Sequence, residues 1–464
     1  MSEFSLNRLE ELDIIFEDGD RSSRYPKANQ FMVEGNHPFI NTKNISDNQF
    51  TWNEVNFISD QKFSEIKKGR VESTDILMAT RGSKLGKVAY YTEDIWGQPL
   101  INAQLLIIRC KDKRLYPKFL WYVLSSAEGQ KQIESLKSGS AQPQLPVKDL
   151  KKFEVSYPAY ERQCQIVNTL DSLNNKRNIN RQTNQTLEQM TQAIFKSWFV
   201  DFEPTRAKIA AKLNGQDPER VAMAAISGKA IAELDQLSPD TQQQLRTTAA
   251  LFPDKLVDSE LGEIPEGWEV LGFKDIVEKY IDNRGKTPPI SDSGIPLLEV
   301  KHLPEGSIKP NLDTTKFVDN ETYRTWFRAH LQADDLMIST VGTIGRICMV
   351  PTGKPLAIAQ NLLGIRFKRK KMSPYFMYYQ MDNDRFRHDV DARLVITVQA
   401  SIKRKDLETI DLLSPSIELQ NIFESTVKPF VGMQQTDQQL VLSDIRDTLL
   451  PKLLSGELAM VEGA

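Results

Sequence analysis

Residues 75–86 read DILMATRGSKLG, and residues 335–345 read DLMISTVGTIG. Each stretch passes from an acidic residue through a short run of strand-forming residues into a glycine-containing turn, which predicts a strand followed by a tight loop. Two other segments recur in the same order: DRSSRYP at 20–26 with DNRGKTP at 282–288, and Pro38–Lys43 with Pro296–Lys301. Later pairs keep one constant offset: Arg109 with Arg366, Pro117 with Pro374, Lys148 with Lys405, and Pro158 with Pro415. The chain therefore contains two copies of one unit, which determines its architecture.

Each copy begins with short strand-like runs and turns and ends in a long helical pattern, which predicts an α+β fold. The predicted parts are a globular domain at 1–158, a long helix at 159–203, a helical connector at 204–263, a second globular domain at 264–415 and a second long helix at 416–458. The first helix carries a seam with alternating four- and three-residue spacing: Ile166, Leu170, Leu173, Arg177, Asn180, Asn184, Leu187, Thr191, Ile194 and Trp198. This spacing favours pairing with another helix, and a helix packed on its own domain is the alternative.

Composition excludes several classes of protein. A chain of 464 residues that is 40% hydrophobic and 26% charged is typical of a globular protein with two or more domains. The polar start MSEFSLNRLEELD has no signal-peptide core, and no apolar run approaches the roughly 18 residues that a membrane span needs, so we expect a cytoplasmic protein. The 3 cysteines form no CxxC pair and the 4 histidines have no ligand spacing, so we expect no metal site.

The sequence contains no phosphate-binding loop, dinucleotide fingerprint, nucleophile elbow or adenine-pocket motif. Asp292, Glu299 and Lys301 resemble a nuclease constellation, because clustered carboxylates can hold Mg²⁺ beside a phosphate. The first copy has Asn41 at the position of Glu299 and keeps only Lys43. We expect no catalytic residue, and a stand-alone nuclease and a repeat-built scaffold stay as alternatives.

Basic residues gather in both copies although the net charge of the chain is −3. Residues 364–410 contain eleven lysines and arginines against six acids, and the first copy has clusters at 67–70, 109–114 and 148–152. Such segments can neutralise phosphates, while polar side chains on nearby loops can read base edges. A solvated surface is the simpler interpretation of any one cluster, but their recurrence in both copies favours DNA binding.

Three strings resemble the specificity subunits of type I restriction-modification systems: Leu187–Glu203, Leu256–Glu269 and Ile445–Leu458. The resemblance covers essentially the whole chain. It implies two target-recognition domains separated by two long antiparallel helices, each domain reading half of a split, asymmetric site in double-stranded DNA. It also implies two methylation subunits, which carry S-adenosylmethionine, and restriction subunits, which use ATP and Mg²⁺. No cofactor or metal is expected in this chain.

The residues that we expect to contact DNA were chosen by their loop positions in the repeat. In the first domain they are Arg21, Arg24, Arg81, Lys84, Lys87, Gln142, Gln144 and Lys148. In the second domain they are Arg284, Lys286, Thr343, Arg346, Gln399, Ser401, Lys403 and Lys405. A turn or solvated residue is an equally simple interpretation of each one.

Overall fold

The computed structural model describes residues 4–46, 48–52, 54–92, 97–139, 143–283, 286–396, 399–434, 445 and 448–454. The chain divides into two compact units, the first formed by 1–178 with 441–464 and the second by 179–440. Both units mix helices and sheets, so the predicted α+β class is confirmed.

The first unit is built from short elements that follow the chain in this order: β1 (Ser5–Arg8), β2 (Ile14–Asp18), β3 (His37–Ile40), β4 (Ile45–Ser46), β5 (Gln49–Phe50), β6 (Asn56–Ile58), α1 (Asp60–Glu65), β7 (Ile76–Ala79), β8 (Val88–Tyr90), β9 (Leu100–Ile101), β10 (Leu105–Cys110), α2 (Pro117–Ser125), α3 (Ala127–Ser135), α4 (Val147–Leu150), β11 (Glu154–Tyr157) and α5 (Tyr160–Phe199). Short 3₁₀ helices lie at Leu9–Glu11, Ala28–Gln30 and Thr42–Asn44. Helix α5 continues into the second unit.

The main sheet of the first unit has the strand order β2-β10-β7-β8. Strand β10 is apolar without alternation because both of its faces are covered: Leu106 and Ile108 enter one core, and Leu105 and Ile107 enter another. A smaller sheet has the order β6-β3-β9, and β1 pairs with β11. The core that contains Leu106 also receives Leu453 from the C-terminal part of the chain.

The elements of the second unit follow in this order: α6 (Glu203–Leu213), α7 (Pro218–Ser227), α8 (Ile231–Leu234), α9 (Pro239–Ala250), β12 (Leu256–Ser259), β13 (Gly262–Pro265), β14 (Glu269–Gly272), α10 (Phe273–Ile276), β15 (Val277–Ile281), β16 (Ile295–Leu298), β17 (Phe317–Val318), α11 (Asn320–Trp326), β18 (Leu336–Ser339), β19 (Ile347–Met349), β20 (Ala357–Ile358), β21 (Leu362–Phe367), α12 (Pro374–Met381), α13 (Asp384–Asp391), β22 (Val395–Ile396), β23 (Ala400–Ser401), α14 (Arg404–Leu407), β24 (Asp411–Ser414) and α15 (Ile417–Met433). A 3₁₀ helix lies at Val300–His302.

The sheets of the second unit repeat those of the first. The main sheet has the order β15-β21-β18-β19, the smaller sheet has the order β17-β16-β20, and β14 pairs with β24. In each small sheet one pair is parallel, β3 with β9 and β16 with β20. The internal repeat in the sequence is therefore a repeat of topology.

Buried polar side chains join equivalent elements in both copies. The side-chain carbonyl of Gln163 accepts from the Tyr116 N–H (2.8 Å), and its amide donates to the Pro158 carbonyl (2.8 Å). In the second copy Gln420 accepts from the Ser373 N–H (2.9 Å) and donates to Pro415 (2.9 Å). Each glutamine is fully buried and satisfies backbone groups where the long helix begins, so it fixes the helix to its domain.

Helix α5 has 40 residues, and every position of the predicted seam is buried or half-buried. Within the second unit it runs antiparallel to α15: the Phe195 and Phe423 rings lie 5.7 Å apart, and Gln434 donates to Glu188 (3.0 Å). The sequence predicts one helix over 416–458, whereas α15 ends at Met433, Gln434 is extended, and residues 448–454 are again helical. Pro429 and Gly432 weaken the helix just before this end.

The connector at 204–263 consists of α6 to α9 followed by most of the β12–β13 hairpin, and it belongs to the second unit. Its helices have a small core of their own around Ala222, Met223, Leu234 and Ala249. Across the described ranges, no helix is both long and apolar enough to span a membrane.

Candidate nucleic-acid interface

The loops that follow β7 and β18 have the same backbone course. Thr80 and Thr340 follow directly after the two strands, and Gly82 and Gly342 come two residues later with φ of +83° and +84°. A positive φ favours glycine, so the same turn is encoded in both copies. The side chains around the glycines differ, because the first loop reads RGSK and the second VGTI.

Each loop is held by two neighbouring segments. In the first domain the Thr80 N–H donates to the Gln104 carbonyl (2.9 Å), and the Leu145 N–H donates to the Thr80 carbonyl (3.2 Å). In the second domain Thr340 donates to the Asn361 carbonyl (2.9 Å), and Ile402 donates to Thr340 (3.0 Å).

Isolated bridges then pair the first loop residue with the segment before the short helix, Arg81 with Gln144 and Val341 with Ser401. Together with the two hydrogen bonds, these bridges make the positions of the two domains equivalent residue by residue.

A cleft of about 580 Å³ opens beside the loop of the first domain. Its wall includes Arg81, Ser83, Gln104 and Gln144. Lys137 also lines the cleft and is ion-paired with Glu134. The cleft thus presents a guanidinium, two carboxamides and a hydroxyl, which are groups that can hydrogen-bond base edges.

The predicted contact residues occupy different environments. Arg21 is paired with Asp18 (3.3 Å) and Arg346 with Glu305 (2.9 Å). Arg24 donates to the Glu65 carbonyl (3.5 Å), and Lys84 donates to the Ile45 carbonyl.

The remaining predicted positions lie at the surface or partly beneath it. Arg81 and Ser401 are half-buried, and the following are exposed: Lys87, Gln144, Lys148, Lys286, Thr343, Gln399, Lys403 and Lys405. Gln142 and Arg284 lie outside the described residues. Arg81 and Gln144 come together in the first domain and Ser401 reaches the loop of Thr343 in the second, and all sixteen stay predictions as DNA contacts.

Several cations that the sequence assigns to basic patches are structural. Arg109 donates two hydrogen bonds of 2.8 Å to the Asp75 carboxylate. These hydrogen bonds raise the pKa of the Arg109 guanidinium, which therefore stays charged. Arg366 and Asp335 form the same pair at 2.9 and 2.8 Å. Arg70 donates to the Ile66 carbonyl (2.9 Å). A charge count along the sequence therefore overstates the cations that are available to DNA.

The nuclease-like constellation is also engaged in ion pairs. Glu299 is bound by Lys316 (2.6 Å) and lies 3.5 Å from Lys301. Its hydrogen bond to Lys316 lowers the pKa of the Glu299 carboxyl. Within the described ranges no group of three or more potential ligands could hold a metal ion. Glu299 is accounted for as part of a surface ion-pair cluster.

The selection from the sequence missed Gln104 and Asn361. Both precede the central strand of their domain, and their carbonyls anchor the loops. The constant offset between the two copies aligns them, so this signal could have found them. Their nearness to the loops comes from tertiary pairing and cannot be seen in local sequence.

The two domains thus repeat one frame and carry unlike loop surfaces on it. A family model described as "Type I restriction modification DNA specificity domain" matches residues 8–189. The "Type I restriction enzyme HindI specificity subunit" of Haemophilus influenzae is 29% identical over 465 residues, which cover 95% of this chain and 98% of that protein. Over nearly its whole length the chain is similar to the specificity subunits of type I restriction-modification systems, in agreement with the sequence resemblance.

A further relative and a solved structure are also similar to this chain. The MjaIX specificity subunit of Methanocaldococcus jannaschii is 23% identical over 358 residues, covering 74% of this chain and 70% of that protein. The crystal structure of a type I S subunit from M. genitalium matches with a TM-score of 0.54 and 16% identity, covering 99% of this chain and 97% of that one. At this identity the structural match shows the fold alone.

Proposed function

We propose that this specificity subunit reads a two-part, asymmetric site in double-stranded DNA, with one half read by domain 1–158 and the other by domain 264–415. The observation that supports this most is the pair of equivalent loops, RGSK after Thr80 and VGTI after Thr340. At the first position of the loop, the first domain has the guanidinium of Arg81 and the second domain has the apolar side chain of Val341. Side chains of such different hydrogen-bonding capacity select different base edges.

The chain acts in this proposal as a reader without catalysis of its own. Two methylation subunits carry S-adenosylmethionine and methylate adenine, and restriction subunits supply ATP- and Mg²⁺-dependent cleavage. The long helices α5 and α15 are the surfaces on which we place the methylation subunits. The ion-paired state of Glu299 supports the assignment of catalysis to other chains.

The experiment is to co-express the chain with its methylation subunit and to sequence the methylated motif of the host DNA. Replacing residues 1–158 by the corresponding domain of a relative should change one half of the motif and leave the other unchanged. Exchange of 264–415 is the matched control and should change the opposite half. A change in both halves after either exchange contradicts the assignment.

The purified chain tests the two other classes of function. We expect it to bind DNA in a gel shift with competitor and to transfer no labelled methyl group without its partner. Mg²⁺-dependent cleavage by the chain alone would support a nuclease, and the absence of any DNA binding, alone or with the methylation subunit, would support a scaffold.

A further inference from the structure

Some equivalent positions around the two loops carry the same chemistry, such as Thr80 and Thr340, and others differ. Arg81 in the first domain is equivalent to Val341 in the second, and Gln144 is equivalent to Ser401. The third pair is Gln104 and Asn361, whose carbonyls hold the two loops. This pair places the same base-reading functional group, a carboxamide, at the same point of both frames.

The carboxamides are available to a ligand. Gln104 is exposed and lines the cleft, and its only side-chain hydrogen bond among the described residues is a long one to Asn102 (3.5 Å). Asn361 is half-buried, and within the described part of the chain its side chain makes no hydrogen bond. Each group therefore retains a donor and an acceptor for a partner outside the protein.

Arg81 differs from the neighbouring arginines of its domain. Arg109 and Arg114 are held by carboxylates, at 2.8 and 2.7 Å. The Arg81 guanidinium lines the cleft and makes no hydrogen bond or ion pair with any residue that the structure describes. Arg81 is half-buried, and its guanidinium offers a pair of parallel donors in the cleft that Gln104 also lines.

We propose that Gln104 and Asn361 are specificity-determining residues that each read an adenine in the major groove, one in each half-site, and that Arg81 adds a guanine contact to the first half alone. A carboxamide matches the N6 donor and N7 acceptor of adenine, and a guanidinium matches the two acceptors O6 and N7 of guanine. Val341 cannot donate, so the second half lacks the guanine contact. This inference rests on the proposed function, because it assumes one domain for each half-site.

The test uses the complete methylation complex and its methylated motif, with Gln104→Ala, Gln104→Glu and Asn361→Ala. Loss of one bidentate base contact should reduce discrimination at a single adenine roughly five- to a hundredfold, in the first half for position 104 and in the second for position 361. Gln104→Glu should shift that position from adenine towards cytosine, because a carboxylate accepts from cytosine N4. A purely structural role for Gln104 would produce no such switch.

Arg81→Val copies the second domain into the first and should remove the preference for one guanine in the first half-site. Gln61→Ala, an exposed amide on α1 outside the cleft, is the matched control and should leave the motif intact. Thermal melting of each variant separates loss of folding from loss of reading.

The outcomes distinguish this inference from the proposed function. The inference is overturned if folded Gln104→Ala and Gln104→Glu complexes methylate the wild-type motif, or if every substitution at 104 destabilises the chain without altering base preference. The proposed function fails instead if the wild-type complex has no two-part motif or if exchange of one domain changes both halves.

Discussion

In the first domain Asp75 and Arg109 join β10 to the turn before β7, and in the second Asp335 and Arg366 join β21 to the turn before β18. Beyond this pair the two sites differ, because Glu72 adds a second carboxylate to Arg109 (2.9 Å), whereas Gln332 precedes Asp335 at the equivalent position. The residues that connect strands are thus the same in both domains, and those that face outward differ. The two domains share this buried ion pair and differ in their surfaces, as the proposed reading of two unlike half-sites requires.

The largest loss of stability should come from breaking one of these buried ion pairs. Asp75 is fully buried, so Arg109→Leu leaves a buried carboxylate without its cation and should cost about 3–5 kcal/mol in free energy of unfolding. Arg366→Leu should cost a similar amount in the second domain. Urea unfolding, with hydrogen exchange to assign the loss to one domain, measures both.

Arg8→Leu is the control for this comparison, because the Arg8 and Glu154 side chains of its ion pair are 51% and 49% exposed and solvent screens such a pair. If Arg109→Leu is no more destabilising than Arg8→Leu, the equivalence of the two buried ion pairs has no energetic meaning.

These buried ion pairs show why the fold could be predicted from the sequence more fully than the site. Repeat register and helical periodicity can be seen in the sequence itself, and they predicted the α+β class and a long helix over 159–203, where α5 spans Tyr160–Phe199. The single helix predicted over 416–458 does not account for the end of α15 at Met433, before which Pro429 and Gly432 weaken the helix. Arg109 and Arg366 were counted as surface charge because their carboxylate partners lie more than thirty residues away. Which loops converge on Gln104 or Asn361 is likewise decided by tertiary pairing.

The tyrosines at equivalent positions on α2 and α12 provide a second comparison. Tyr122 donates to Asp171 (2.8 Å), which is ion-paired with Lys118 (2.6 Å). Tyr379 instead donates to Thr191 (2.7 Å) beside Glu188, and burial raises the pKa of Glu188 to about 7. On α5, the Asp171 carboxylate is thus ion-paired with a lysine in the first unit, whereas the Glu188 carboxyl is buried in the second unit.

This difference predicts that Glu188 gives the second unit a pH dependence of its own. The folded pKa of Glu188 lies above its ordinary value of 4.5, so the folded state binds more protons between about pH 4.5 and 7, and stability falls as pH rises through that window. Glu188→Gln should remove this slope and stabilise the second unit by on the order of 1–3 kcal/mol at pH 8, with little effect at pH 4.5. Urea unfolding at several pH values tests it.

Asp171→Asn is the matched change in the first unit and should weaken that unit at neutral pH by removing the ion pair with Lys118. An equal pH slope in wild type and Glu188→Gln would contradict the assignment to Glu188.

The smallest expected effect concerns a feature that the two domains share on their surfaces. Lys148 on α4 and Lys405 on α14 occupy equivalent, exposed positions in helices that read VKDL and RKDL. If each contacts a phosphate, Lys148→Ala and Lys405→Ala should each weaken DNA binding only a few-fold and reduce the slope of log affinity against log salt by about 0.9. The methylated motif should stay the same, because phosphate contacts position the protein without reading sequence. Lys229→Ala in the connector, also exposed, is the control and should leave the slope unchanged. An altered base preference in either variant would make that lysine a base reader, and an unaltered salt slope would remove it from the interface.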